Sequence, residues 1–299
     1  MMKKLSLYTI VFACLALCTL YLYGRSNMVS STTGATASNT SANNTTRAAA
    51  SKISADNTAG LTTVAASFDA PTGIAFDSSN AMYVTNWSGN SITKITADGE
   101  RKTIYSNISS PAGIVIDAED NIYVSSYSDD YILKITADGK AEKISDGYHT
   151  PTGIAFSNSG NLLITNRSTG EIVALDLNNR RKEIIARGLS TPVGVTQLPD
   201  NSLVVSQYSG RLTLIRPNGQ QTELGKDFNR PGVGIVTVSP NMVAVIDNGA
   251  DMVRTVDIKT GTVRKLVTSL PGAVALALHN NRYYIGTWQD GTVYAFNPK

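Results

Sequence analysis

The sequence predicts an all-β, six-bladed β-propeller with four antiparallel strands per blade, and three observations predict it. The first is a repeat. Pro71-Thr72-Gly73-Ile74-Ala75-Phe76 recurs as Pro111-Ala112-Gly113-Ile114-Val115-Ile116 and again, unchanged, from Pro151 to Phe156. Weaker copies start at Pro192, Pro231 and Pro271, so the proline spacings are 40, 40, 41, 39 and 40 residues. The second is a polar column in the same register: Asn86, Ser126, Asn166, Gln207, Asp247 and Thr287 lie 40, 40, 41, 40 and 40 residues apart. The third is an unpaired strand at the start of the repeats, which closes the ring.

Each unit reads as four short strands joined by turns. In the first unit they fall near Gly73–Phe76, Met82–Thr85, Ser91–Ile95 and Lys102–Tyr105. Asp98-Gly99, Asp138-Gly139 and Asn218-Gly219 supply the positive φ angles of tight turns between third and fourth strands. Runs such as Ile114-Val115-Ile116 and Ile122-Tyr123-Val124 are apolar at consecutive positions. A sheet covered on both faces needs such runs, and a blade between two neighbours is such a sheet. Helical repeats of similar length need a 3.6-residue period, which is absent.

The fourth strand carries apolar residues three and seven positions before the repeat proline: Ile108 and Ile104, Tyr148 and Ile144, Leu189 and Ile185, Phe228 and Leu224. Phe68 and Val64 obey the same rule, so residues 62–66 form an outer strand with no blade ahead of it. The last unit stops at Phe296, after its third strand, so the N-terminal strand is expected to complete the sixth blade. The fifth unit, with Arg264 and Thr268 at these offsets, suggests a one-residue shift.

Apolar residues make up 42% of the 299 and charged ones 16%, a composition that fits a packed domain. Residues 1–60 hold five basic residues and one acidic one. Of the chain's 26 basic and 23 acidic residues, 21 and 22 therefore remain in 61–299, a net charge of −1. That balance argues against nucleic acid as a partner. Both cysteines, Cys14 and Cys18, lie in the hydrophobic N-terminus, so the repeats hold no disulfide, thiolate metal site or cysteine nucleophile.

Lys3 and Lys4 precede an uncharged run from Leu5 to Tyr23, with Arg25 after it. A charged start followed by an apolar run is an export signal, long enough to span a bilayer. Lysines on its N-terminal side place the rest of the chain outside the cytoplasm. An uncleaved anchor, a cleaved signal and a lipoprotein attached at Cys14 (Val11-Phe12-Ala13-Cys14) are the three fates. Residues 26–60, rich in Ser, Thr, Asn and Ala, read as a disordered tether. Residues 1–25, 26–60 and 61–299 are thus export segment, linker and propeller.

The Pro-x-Gly-Ile-Ala start, the strand Asn121-Ile122-Tyr123-Val124 and the turn Ile95-Thr96-Ala97-Asp98-Gly99 resemble NHL repeats, over 61–299. More distantly the chain is similar to SMP-30/gluconolactonase enzymes and to streptogramin lyases. The resemblance implies a binding face built from loops joining second to third strands and loops entering each first strand. On that face lie the pairs Asn86-Trp87, Ser126-Tyr127, Asn166-Arg167, Gln207-Tyr208, Asp247-Asn248 and Thr287-Trp288. Four of the second members are aromatic, including both tryptophans of the protein. Rings beside amides suit a sugar, a peptide or a flat ligand; the alternative is that they only fill space between loops.

The lactonase resemblance implies a divalent metal such as calcium over the central channel, held by Asn or Asp before the repeat glycine. Here those positions are Thr72, Ala112, Thr152, Val193 and Val233, poor calcium ligands, with Asp69 a lone loop carboxylate. No cofactor is therefore expected unless an enzymatic reading holds. The lyase resemblance implies a histidine. His149 falls on the loop-bearing face and His279 on the opposite one, where Arg180-Arg181-Lys182 also falls. The expectation is a monomeric, membrane-tethered, extracytoplasmic module that binds a protein or small molecule. A metal-dependent hydrolase or lyase is the rival, and a scaffold without its own ligand the third reading.

Overall fold

The computed structural model describes residues 60–225 and 227–298. The expected export segment and nearly all of the tether lie outside the described residues. Blade 1 consists of β2 (Pro71–Phe76), β3 (Met82–Asn86), β4 (Ser91–Ile95) and β5 (Arg101–Ser106). Blade 2 consists of β6 (Pro111–Ile116), β7 (Ile122–Ser126), β8 (Tyr131–Ile135) and β9 (Ala141–Asp146). Blade 3 has β10 (Pro151–Phe156), β11 (Leu162–Asn166), β12 (Glu171–Leu175) and β13 (Lys182–Ala186). Blade 4 has β14 (Pro192–Gln197), β15 (Leu203–Gln207), β16 (Arg211–Ile215) and the short β17 (Gln221–Glu223). In blade 5, β18 (Pro231–Ser239) leads to β19 (Met242–Asp247), β20 (Met252–Asp257) and β21 (Val263–Val267). Blade 6 joins β22 (Ala273–His279), β23 (Arg282–Thr287) and β24 (Thr292–Phe296) to β1 (Thr62–Ala65).

The ring closes as expected, one residue short of the predicted span. Strand β1 lies antiparallel to β24, with Thr62 opposite Ala295 and Thr63 opposite Tyr294. Arg282 Nη2 donates to Thr62 Oγ1 at 2.6 Å across the blade. Phe68, buried just after β1, joins Val293 and Ala275 of blade 6 and Ile74, Met82 and Val84 of blade 1 in one core. The closure therefore rests on chain ends brought together by burial as well as by the ladder.

Six such cores exist, one between each pair of neighbouring blades. Between blades 1 and 2, for example, Ile92 and Ile108 meet Ile114, Val124 and Leu133. Each large apolar side chain removed from water this way contributes roughly 1.5–3 kcal/mol. Consecutive apolar residues face opposite neighbours: Tyr123 packs toward blade 3, while Ile122 and Val124 pack toward blade 1. This is why the strands carry unbroken apolar runs.

Near the axis the first strands approach so closely that side chains are excluded. A Cβ on Gly153 would lie 2.4 Å from Val193 O, and one on Gly73 2.6 Å from Ala112 O. Hydroxyls on the second strands tie the same places together. Thr85 Oγ1 accepts from Gly73 N at 2.8 Å and donates to Ala112 O of the next blade at 2.8 Å. Ser125 repeats this with Gly113 N at 3.0 Å and Thr152 O at 2.6 Å. Ser206 donates to Gly232 O of blade 5 at 2.7 Å.

Three expectations are corrected. In the fifth unit the displacement is two residues. Ala273, opposite Thr287, occupies the place that Pro71 holds opposite Asn86. Pro271 thus sits in the loop, and Leu270 is the buried residue three before the strand. At the seventh position before the proline, Val64 and Ile185 are exposed. The outermost strand has a solvent side, and beside the three-residue β17 there is little to cover Ile185. In the hairpin turns only the glycine has positive φ (Gly99 at 92°, Gly139 at 87°, Gly219 at 83°). The preceding Asp98 and Asp138 instead accept the hydroxyl hydrogens of Thr96 and Thr136.

Candidate binding face

All six column residues end the second strand of their blade, and all six are buried. Their polar atoms serve the blade. Asn86 Oδ1 accepts from Asp69 N at 3.3 Å, and Asn166 Oδ1 from His149 N at 2.6 Å. Gln207 Oε1 accepts from Ser190 N, and Asp247 Oδ1 from Asn229 N at 3.0 Å and Arg230 N at 2.9 Å. In each case the side chain holds the loop that enters the first strand. Ser126 makes the link in the other sense, donating to Ser109 O at 3.1 Å. Thr287 departs from the pattern: it donates to Thr292 O at 3.0 Å and to Asp290. Asp247 also pairs with Arg254 at 2.8 Å, and both side chains are largely buried.

With the first members so engaged, the surface is made by the second members. Trp288 and Trp87 have ring centroids 5.8 Å apart, and Trp87 and Tyr127 4.6 Å apart. The Arg167 guanidinium lies 5.8 Å from the Tyr127 ring and 5.4 Å from the Tyr208 ring, with Nη1 donating to the Tyr127 hydroxyl. Arg230 lies 5.2 Å from the same Tyr208 ring. A continuous belt of rings and guanidinium groups therefore runs across blades 6, 1, 2, 3 and 4 to the loop entering blade 5. Trp288 is its most exposed ring at 43%, and Trp288 Nε1 donates to Thr72 Oγ1 at 3.1 Å.

Asn248 stands outside the belt. It begins a single 3-10 turn, and Nδ2 donates to Ala273 O of blade 6 at 2.9 Å. Arg230 and Thr72 belong to the arrangement although the paired column does not contain them. Arg230 was readable as the residue before a repeat proline, in a loop of the same face. Thr72 is a first-strand residue whose role needs the ring to bring Trp288 beside it.

The axis offers little room by contrast. Ile74, Ile114, Ile154, Val195, Ile235 and Leu276 line a channel of about 50 Å³, small beside the roughly 300–1,000 Å³ of ordinary ligand sites. The hydroxyls of Thr72 and Thr152 donate to Ala70 O and Thr150 O, both at 3.0 Å. Among the described residues no three His, Cys, Asp or Glu side chains converge. These residues do not fit a divalent cation, which takes six to eight oxygen ligands when it is calcium. Asp69 is exposed, its backbone N–H held by Asn86 and its carbonyl accepting from Ser88 N at 3.1 Å.

His149 is exposed on the belt side, with no hydrogen bond or ion pair to its ring among the described residues. His279 ends β22 on the opposite face, where it stacks on Phe76 at 4.2 Å and meets Asn80 Oδ1 at 2.8 Å. Burial lowers its pKa. On that face too, Arg180 pairs with Glu142 at 2.8 Å. The buried Asp77 there accepts from Ser79, Lys94, Ala81 and Tyr83. Burial opposes its charge, but these hydrogen bonds outweigh it and hold the carboxyl far below the usual carboxylate range.

The fold is a six-bladed β-propeller, and a lactonase and a lyase are among the solved structures similar to it. It is similar to a gluconolactonase from Xanthomonas campestris, with 15% identity, a TM-score of 0.71, and coverage of 80% of this chain and 89% of that one. It is also similar to virginiamycin B lyase from Staphylococcus aureus, with 15% identity, a TM-score of 0.61, and coverage of 80% and 88%. A chain of a nidogen/laminin complex aligns at 24% identity and a TM-score of 0.60, over 66% of this chain and 80% of that one. At these identities the likeness is one of fold. No protein-family model matches the chain, and no curated protein matches it in sequence.

Proposed function

We propose that this protein is a recognition module: an NHL-type propeller, exported and tethered at the bacterial cell envelope by its N-terminal segment. It acts as a monomer and binds a protein or small-molecule ligand through the face carrying Trp288, Trp87, Tyr127, Arg167 and Tyr208. The observation that carries this reading is the belt itself. Ring contacts and cation–π contacts link five successive blades on one side of the ring. The six interblade hydrophobic cores contain none of its members. Converging aromatic and polar groups are the usual make-up of a binding surface.

The test is capture of partners from cell-envelope extracts by the full chain and by the Trp87→Ala/Trp288→Ala variant. The variant is expected to keep its circular dichroism and melting temperature while losing the captured species. Capture that survives the double substitution would move the binding site elsewhere. The rival reading is a lactonase-type hydrolase or lyase, supported by the shared fold with such enzymes. It requires a bound divalent ion or a partnered base, so stoichiometric metal in the purified chain, with metal-dependent lactone hydrolysis, would favour it.

A further inference from the structure

Arg167 differs from Lys94 and Arg254, the partly buried cations that have carboxylate partners. Lys94 pairs with Asp77 and Arg254 with Asp247, at 3.0 and 2.8 Å. Arg167 forms no ion pair among the described residues. Its Nη1 serves the Tyr127 hydroxyl, and its Nε is buried with no hydrogen-bond partner. Two ring faces flank it, and a second guanidinium, that of Arg230, shares the Tyr208 ring. A cation taken partly out of water needs compensation. Ring faces supply only part of it. The fork of donors is thus held in place with its charge unanswered.

The other end of the belt is chemically different. Trp288 and Trp87 present flat apolar surface with no cation among their ring contacts, and Trp288 is the most exposed large apolar side chain described. The two ends lie on one continuous surface, joined through Tyr127. We propose that the face selects a ligand joining a carboxylate to a flat apolar ring, with the carboxylate on the Arg167 guanidinium and the ring against Trp288 and Trp87. This rests on the reading of that face as a binding surface. It assigns Arg167 as the residue that sets specificity for charge, and the tryptophans as the platform that is indifferent to charge.

The chain's own fluorescence reports the site, because Trp87 and Trp288 are its only 2 tryptophans. The full chain is titrated with 4-phenylbutanoate and with the neutral 4-phenylbutanamide, by tryptophan fluorescence and by calorimetry. The acid is expected to bind roughly tenfold more tightly than the amide, the effect of one charge-assisted hydrogen-bonded pair. Arg167→Gln should remove that preference. Arg167→Lys, which keeps the charge and loses the planar fork, should retain part of it. Trp288→Ala, followed by calorimetry, should weaken both ligands alike. Equal binding of acid and amide, an acid preference that survives Arg167→Gln, or no binding of either at millimolar concentration overturns the inference. Equal binding that is lost in Trp288→Ala would sink the carboxylate while leaving the recognition face standing. Failure of the face itself would show instead as partner capture that ignores both tryptophans.

Discussion

Replacing Thr85 by Val changes shape little and tests how neighbouring blades are held at the axis. Thr85 is fully buried, and its hydroxyl is shared between Gly73 N of its own blade and Ala112 O of the next, each at 2.8 Å. Valine leaves both groups buried without this partner. An orphaned buried group costs about 1–3 kcal/mol, so two cost roughly 2–6 kcal/mol. The apolar methyl that replaces the hydroxyl returns about 0.8 kcal/mol. A net loss of about 1–5 kcal/mol is expected, measured by urea unfolding of the full chain. Thr85→Ser is the control. Ser125 makes the same pair of bonds one blade on, so serine should cost only its missing methyl, about 1 kcal/mol. A Val variant as stable as the Ser variant would refute the idea that the hydroxyl links the blades.

Two further outcomes are expected. The carboxyl of Asp77 is held far below its usual pKa, so its contribution is fully present above the unfolded value of about 3.9 and is lost as pH falls from there toward the folded value. The acid limb of a stability–pH curve should therefore flatten in Asp77→Asn, which will be less stable at neutral pH. A limb that remains as steep would place the titrating group elsewhere. Phe68→Ala, at the seam between blades 6 and 1, should cost about 3–5 kcal/mol and expose β1 to proteolysis before the other strands. Uniform cleavage around the ring would argue against closure at that seam.

The legible part of the site and the hidden part differ for a physical reason. Trp87, Tyr127, Arg167, Tyr208 and Trp288 could be placed on one face because a 40-residue period puts equivalent positions at equivalent places in the ring. Their partners in the column look equally available in the sequence, yet Asn86, Asn166, Gln207 and Asp247 are buried and hold loops. A short amide reads the same whether it faces water or a backbone N–H; only the position of the neighbouring loop decides. Pro271 misleads in a similar way. Its spacing matches the repeat, but burial of Leu270 and the pairing of Ala273 with Thr287 set the register two residues later.

The sequence by itself determined the number of blades, the four strands in each, and the completion of the last blade by the first strand. Those follow from local patterns repeated at fixed spacing, which need no knowledge of what lies across the ring. Only the tertiary structure decided that the space at the axis is about 50 Å³, that hydroxyls bridge one blade to the next, and that Arg167 sits between two rings with no carboxylate partner among the described residues. Each of these depends on atoms of different blades, 27 residues apart at the Thr85 bridge and 40 at the Arg167–Tyr127 contact, meeting at contact distance. Contact of that kind is fixed by how the blades pack, and no single repeat contains it.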